Sequence, residues 1–487
     1  LSSIKNLFKN TFIYGLATVL PRLLTVLLTY LLTKYLPGKT EFGEVSIIFS
    51  YIIFANVILT YGMETAFFRF YNDAGAALKT FGTALISLLV STVVFTAASY
   101  LFLDQIATIT DLSAQYWKWV IAVIAFDTLM VVPFAYMRAQ GKSTRYAAIK
   151  IFNVFITVGT TILFFTILPD HTTIAGYLPT DRIELFFIAF IMASGITFLL
   201  VSKPYFKRWE FDQELWKKML SYGWPILLAG VAFAINETID KILLQELLPF
   251  SAKENKAIVG VYTAGYRLAV GMTLYAQAFR LGVEPFFFSQ SASANATQQY
   301  ALITKAFVAL GAIALMAYVV LVDFIQPFLT NDLETAMQVV PLILIAYFFS
   351  GIYQTLSVWY KVQDKTRYGA YISIFAAALT LLINLLLIPT IGFMASAYAT
   401  CAAYVFMTIV SYIIGRKHLA IPYDMTNILM YLAISITFSI VFFYDLRPRL
   451  GIQSGQTYLV GALMTLFIAG VVCLREREII NKILNRK

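Results

Sequence analysis

Residues 215–290 read LWKKMLSYGWPILLAGVAFAINETIDKILLQELLPFSAKENKAIVGVYTAGYRLAVGMTLYAQAFRLGVEPFFFSQ, and the reading of the whole chain turns on them. They hold two long apolar helices that carry charges where a membrane helix ordinarily has none. The first contains Asn236, Glu237, Asp240 and Lys241, the second Arg267, Arg280 and Glu284. A lone charge at the centre of a bilayer costs roughly 2.5–3.5 kcal/mol on insertion scales, so several left in lipid cost on the order of 10 kcal/mol. Such residues persist only where they face one another, water or a polar cargo. The stretch therefore implies a polar cavity inside a membrane protein, and a chain that moves something through it.

Composition agrees. Of 487 residues 60% are hydrophobic and only 13% charged, against about 25% charged in a soluble domain. The net charge of +10 is read as Lys and Arg flanking cytoplasmic helix ends rather than as a nucleic-acid surface. Lys5 and Lys9 lead into an apolar run without a small-residue cleavage site, so no cleavable signal peptide is expected. The cysteines, Cys401 and Cys473, and the histidines, His171 and His418, lack metal-ligand spacing; both histidines are placed in loops.

Working outward, fourteen apolar spans emerge, each adequate to cross ~30 Å of hydrocarbon. Their limits are 11–36, 43–68, 81–103, 115–137, 146–168, 183–202, 217–248, 258–288, 302–326, 336–360, 368–389, 393–415, 425–445 and 456–474. Lys and Arg favour one set of loops by about three to one, which places both termini in the cytoplasm. The charged segment Lys203–Lys218 is expected to be an amphipathic connector anchored by Trp209 and Trp216.

The chain also repeats. Thr144-Arg145-Tyr146 returns as Thr366-Arg367-Tyr368, Gly62-Met63-Glu64 with Phe67-Phe68 as Gly282-Val283-Glu284 with Phe287-Phe288, and Tyr14-Gly15 as Tyr222-Gly223. The matches keep their order and imply two six-helix lobes running the same way through the membrane, with the cargo site between them. The expected organisation is 1–203 for spans 1–6, 204–418 for spans 7–12, and 419–487 for spans 13–14 with a basic tail. The fold class is an all-α, fourteen-helix integral membrane protein.

Three stretches carry a family likeness: GMETAFFRFY (62–71), VGVYTAGYRLA (259–269) and NLLLIPTIGFMASAYAT (384–400). With fourteen spans in two lobes plus two further helices, the chain resembles the multidrug/oligosaccharidyl-lipid/polysaccharide exporter superfamily, and most closely its polysaccharide-biosynthesis branch, the Wzx-type O-antigen flippases. The resemblance implies a flippase, not an enzyme, that moves undecaprenyl-pyrophosphate-linked oligosaccharide across the bacterial inner membrane. It implies membrane lipid and the polysaccharide polymerase and glycosyltransferases as partners, and spans 13 and 14 as shelter for the lipid tail. No nucleic acid is expected. No Gly-x-x-x-x-Gly-Lys-Ser/Thr occurs, so no resident cofactor is expected and the energy is assigned to a Na+ or H+ gradient or to removal of product.

Candidate site residues follow. Arg22 and Arg267 are suited to a pyrophosphate because a guanidinium stays charged and donates in pairs; both stand where the related lipid II flippases carry arginines, although further arginines of that branch are missing here. The alternative is snorkelling or a local carboxylate partner. Asn236 and Lys241 would extend the cargo wall. Asp240 and Glu237, with Asn384 and Thr400 from spans 11 and 12, are candidates for ion coupling, equally readable as a self-neutralised network. The resemblance implies a sodium site built from these three spans, yet Ile388 stands where that branch has a second acid. Glu64 and Arg69 are candidates for a cytoplasmic gate. Asp127 faces either the cavity or a helix–helix hydrogen bond, and Pro21 and Pro225 are expected to bend the first helix of each lobe. Two other functions compete. A drug/cation antiporter would need acids rather than arginines for recognition, and a membrane polymerase or glycosyltransferase would need a carboxylate-rich outer loop.

Overall fold

The computed structural model describes residues 27–36, 38–71, 77–168, 179–206, 210–289, 293, 295–326, 334–363 and 365–477, with some side chains between 281 and 289 left out. Arg22, Pro21, His171 and Trp209 lie outside the described residues. Those described are helical and contain no strand. In chain order the elements are α1 (Lys39–Thr60), α2 (Met63–Tyr71), α3 (Ala77–Leu101), α4 (Leu103–Thr110), α5 (Ala114–Ala139), α6 (Ser143–Ile162), α7 (Arg182–Val201), α8 (Gln213–Leu247), α9 (Ala252–Leu268) and α10 (Val270–Ser289). They continue as α11 (Ala296–Ile325), α12 (Val340–Leu356), α13 (Val358–Val362), α14 (Arg367–Ile391), α15 (Met394–His418), α16 (Met425–Val441), α17 (Arg447–Leu450) and α18 (Gly455–Arg475).

Among the described residues eleven helical segments are long and apolar enough to cross a membrane, twelve if the bent pair α9–α10 is one span. The 35-residue α8 is not among them; at 1.5 Å per residue it has ample length, and it carries the charges of the opening stretch. Several spans are broken where continuous runs were expected. Span 2 divides between α1 and α2, where Tyr61 and Gly62 have φ of 32° and 72°, a left-handed pair that no continuing helix accommodates. Span 8 bends by 42° between α9 and α10.

Many hydroxyl groups within the spans bond back to a carbonyl of their own helix, the local partner an apolar solvent favours. Ser46 donates to the Phe42 carbonyl at 2.7 Å and Thr128 to that of Ile124 at 2.9 Å. Helix starts are capped by side chains: Asp181 accepts from the Ile183 N–H at 2.8 Å, Asp212 from Leu215 at 3.0 Å and Ser454 from Thr457 at 3.1 Å. Trp216, expected as an interfacial anchor, belongs to α8 and donates its indole N–H to Ser87 at 2.7 Å.

The chain packs as two units, 1–260 and 261–487, so the division falls inside α9. In the first unit α8 packs on α1, α2 and α3. The backbones touch where glycines allow it. A methyl at Gly62 would stand 2.5 Å from the Gly223 carbonyl oxygen, and one at Gly43 would stand 1.8 Å from that of Lys256. Small residues at such crossings permit the close contact that joins helices in lipid. In the second unit α14 and α12 both pack on α15, and α11 packs on α16 and α18.

His418 corrects the loop assignment. It ends α15, stacks on Trp359 with ring centroids 5.1 Å apart, and lies 5.0 Å from the Tyr368 ring. The helix continues through Arg416-Lys417-His418 because cations are favourable at a helix C-terminus.

Candidate functional site

In the first unit, one and a half turns of α8 gather the expected polar groups. Asn236, Asp240 and Lys241 are 6%, 3% and 8% exposed. Lys241 Nζ donates to Asp240 Oδ1 at 2.9 Å, and the Lys241 backbone N–H donates to the same oxygen at 2.9 Å. Lys241 Nζ also lies 3.5 Å from the Glu237 carbonyl oxygen. The two charges are thus neutralised by adjacent residues of one helix. The helix runs unbroken through Pro225.

In the second unit Arg267 stands in the last turn of α9, directly before the bend. Its neighbour Tyr266 accepts a hydrogen bond from the Tyr347 hydroxyl at 2.6 Å. Asn384 is fully buried; its amide donates to the Thr380 carbonyl at 2.8 Å and its Oδ1 accepts from Ser396 Oγ at 2.7 Å. Thr400 donates to the Ser396 carbonyl at 2.9 Å. The two expected coupling residues are thus joined through Ser396, which sequence reasoning had passed over. Its signal was present: Ser396 lies one turn before Thr400 on the same face of α15.

Glu64 takes Arg138 at the end of α5 as its ion-pair partner. Arg69 lies over the Phe70 ring, 5.7 Å from its centroid. Asp127 accepts from Ser194 Oγ of α7 at 3.1 Å, which makes the helix–helix hydrogen bond one of its roles. The side chain of Glu284, the expected partner of Arg280, lies outside the described residues.

Further buried pairs escaped sequence reasoning. Lys256, 7% exposed, holds Glu44 at 3.2 Å and Asp111 at 3.0 Å, beside the Gly43 crossing. Gly43 and Gly260 flanking the two charges were the available signal. Arg447 grips Asp323 through two bonds of 2.7 and 2.6 Å, both side chains being almost fully buried. Lys305 meets Glu476 at 2.8 Å and Asp424 at 3.3 Å. Outside the spans, burial raises the Asp424 carboxyl pKa, but hydrogen bonds from Asn427 and Lys305 outweigh it and hold the group below its ordinary value. Among the described residues no three or more His, Cys, Asp or Glu gather to hold a metal ion.

A bundle of broken and intact spans with charges buried at helix crossings defines a multi-pass membrane protein. The chain belongs to the polysaccharide biosynthesis protein family, whose sequence profile matches residues 7–279. No curated protein matches it. Its structure is similar to the lipid II flippase MurJ in an inward closed conformation, with a TM-score of 0.74 at 15% identity over 96% of this chain and 100% of that one. It is also similar to multidrug resistance MATE family transporters of the MOP superfamily. The inward-facing form gives a TM-score of 0.59 at 13% identity, covering 81% of this chain and 94% of that one. The outward-facing form gives 0.61 at 15% identity, covering 84% and 95%.

Proposed function

We propose that the protein is a flippase that carries undecaprenyl-pyrophosphate-linked oligosaccharide across the bacterial inner membrane by alternating access, with both termini in the cytoplasm. The observation that carries this reading is the extent of the fold likeness: 96% of the chain is shared with a lipid flippase, against 81–84% with the drug transporters. The surplus is about the length of two spans, which fits the expectation that α16 and α18 serve a lipid tail. Membership of the polysaccharide biosynthesis family supports the sugar cargo.

In this reading Arg22 and Arg267 hold the pyrophosphate, and Asn236 and Lys241 face the sugars. Asp240 is the coupling carboxylate, assisted by Glu237 and, in the second unit, by Asn384 and Thr400. Uptake of H+ or Na+ at Asp240 releases Lys241, which converts an ion gradient into a change of charge on the cavity wall. Glu64, with Arg69 nearby, closes the cytoplasmic side. The contacts of α8 and the head of α9 with α1 and α2 are those that part and re-form in the cycle. The polymerase and glycosyltransferases of the same sugar are the partners.

Complementation tests the reading. Arg22→Ala and Arg267→Ala, expressed at normal level in a strain lacking its own flippase, are expected to abolish surface polysaccharide; undiminished polysaccharide in both ends the pyrophosphate assignment. The likeness to MATE transporters favours the second reading, a drug/cation antiporter, and export of a cationic dye by the unsubstituted protein would select it.

A further inference from the structure

Within the first unit, the end of α5, the start of α6 and the end of α7 enclose a cavity of ≈ 180 Å³, room for about six waters at ~30 Å³ each. Lys142, Arg145 and Lys203 line it together with Gln140 and Tyr136, and no carboxylate does. The turn between α5 and α6 sets this geometry: Gly141 N–H bonds to the Arg138 carbonyl and Lys142 N–H to that of Met137, each at 3.0 Å, the pattern that closes a helix end. Arg145 reaches across the mouth to within 3.5 Å of the Leu200 carbonyl. Glu64, the acid nearby in the same bundle, is matched by Arg138. Three like charges, all on exposed side chains, thus stand around one small void and give it a positive potential.

The second repeat has a cavity of ≈ 270 Å³ at the end of α13, but Val362, Gln363, Leu419, Thr297 and Tyr300 line it and no cation does. Tyr136, Lys142 and Arg145 correspond to Tyr360, Lys365 and Arg367, and Ala135 corresponds to Trp359. In the second unit Trp359 is 1% exposed, stacked on His418 and 5.4 Å from the Tyr368 ring. Ala135 in the first repeat is fully buried in a cluster with Met63, Phe67 and Phe81, while Lys142, Arg145 and Lys203 stand around the cavity. Exposed apolar side chains continue along the adjoining helices, Leu199 at 71%, Phe155 at 56% and Phe152 at 49%, so the cavity lies at the end of a lipid-facing surface.

We propose that this cavity is a binding site for the phosphate of an anionic lipid headgroup. Arg145 supplies paired donors to phosphate oxygens, and Lys142 and Lys203 supply point charges. Tyr136 and Gln140 offer neutral hydrogen bonds. The site is separate from the cargo residues and rests only on the chain being a membrane protein, not on the flippase reading. Its occupant is a lipid that stays in place and steadies the ends of α5, α6 and α7.

The test uses the purified full-length protein and three probes: phosphatidylglycerol and phosphatidylcholine in nanodiscs, and inorganic pyrophosphate in detergent. A cation near an anionic surface contributes about fivefold in affinity. Replacing all three, Lys142→Gln with Arg145→Gln and Lys203→Gln, is therefore expected to weaken phosphatidylglycerol binding about a hundredfold and leave phosphatidylcholine unaffected. Removing the exposed cations of α15 (R416Q with K417Q) is expected to change little. If the triple variant does not fold, the single exposed change Lys203→Glu is expected to weaken binding more than tenfold. Pyrophosphate binding with the same dependence on these residues would assign the pocket to a soluble phosphate and overturn the lipid occupant. Equal phosphatidylglycerol affinity in the unsubstituted and cation-depleted proteins would overturn the site itself.

Discussion

Replacing Gly260 by alanine tests whether the contact between α1 and the head of α9 is part of a moving gate. The added methyl would stand 2.1 Å from the Lys39 carbonyl oxygen and 3.1 Å from the Gly43 nitrogen. Both are backbone atoms and cannot turn aside, so the helices must separate by more than about 1 Å to restore van der Waals spacing. Overpacking of this kind costs about 1–3 kcal/mol. Separation also stretches the Lys256 pairs with Glu44 and Asp111. The Asp111 side chain is 57% exposed, so water recovers much of that loss. A total near 2 kcal/mol shifts a two-state balance about thirtyfold. The assay is disulfide formation between cysteines at Thr40 and Lys253, whose side-chain oxygen and carbonyl lie 3.5 Å apart, with Cys401 and Cys473 replaced by serine. If the closed and open forms are near balance, cross-linking is expected to fall to a few per cent of its rate in the parent, and surface polysaccharide to fall with it. Gly159→Ala, where the methyl meets nothing within 4 Å, is the matched control. An unchanged cross-linking time course in Gly260→Ala would refute the gate.

Arg447→Ala leaves Asp323 buried without its two bonds and is expected to destabilise the protein by about 3–5 kcal/mol, whereas Asp323→Leu with Arg447→Met is expected to be near neutral; thermal unfolding of the purified protein measures both. Asn384→Ala strands Ser396 Oγ in a buried place and is expected to cost about 1–3 kcal/mol, together with loss of any sodium-dependent rise in melting temperature. Because the folded-state pKa of Asp424 is depressed, its contribution to stability is present above the ordinary carboxylate value and is lost as pH falls through the lower folded value. Acidification below about pH 4 is expected to loosen the start of α16, and Asp424→Asn to remove that part of the pH dependence of melting.

Span positions were legible because an apolar run bounded by charge has one physical meaning in a bilayer. Arg367–Ile391 was expected at 368–389 and Gly455–Arg475 at 456–474. The breaks were not legible, since neither YGMETAFF nor YRLAVGM holds a proline to mark one. The start of α11 was placed at 302 and lies at Ala296, because polar residues extend a helix beyond the membrane without altering its hydropathy signal. At the site, Asp240 and Lys241 are adjacent in sequence and were legible as a pair. Glu64 with Arg138, or Asp323 with Arg447, are separated by 74 and 124 residues, and no spacing rule joins such partners.

The buried pairs differ in a way that bears on movement. In the second unit α11 is tied to the C-terminal helices at both ends, by Lys305 to Asp424 and Glu476 and by Asp323 to Arg447. Tyr431 adds a 2.9 Å bond to Glu476. Opening the Asp323–Arg447 end exposes charges that are 1% and 7% accessible and have no substitute partner in lipid, which makes that attachment effectively permanent, whereas at the other end Asp424 is already 37% exposed. In the first unit α1 and the head of α9 meet through glycines and one lysine whose partners are 18% and 57% exposed at their side chains, so water replaces those bonds when the helices part. A transport cycle requires both kinds of joint: one whose rupture is within reach of a coupling ion, worth a few kcal/mol, and one that never yields. The distribution of water around the ion pairs, rather than their number, therefore marks which helices travel together.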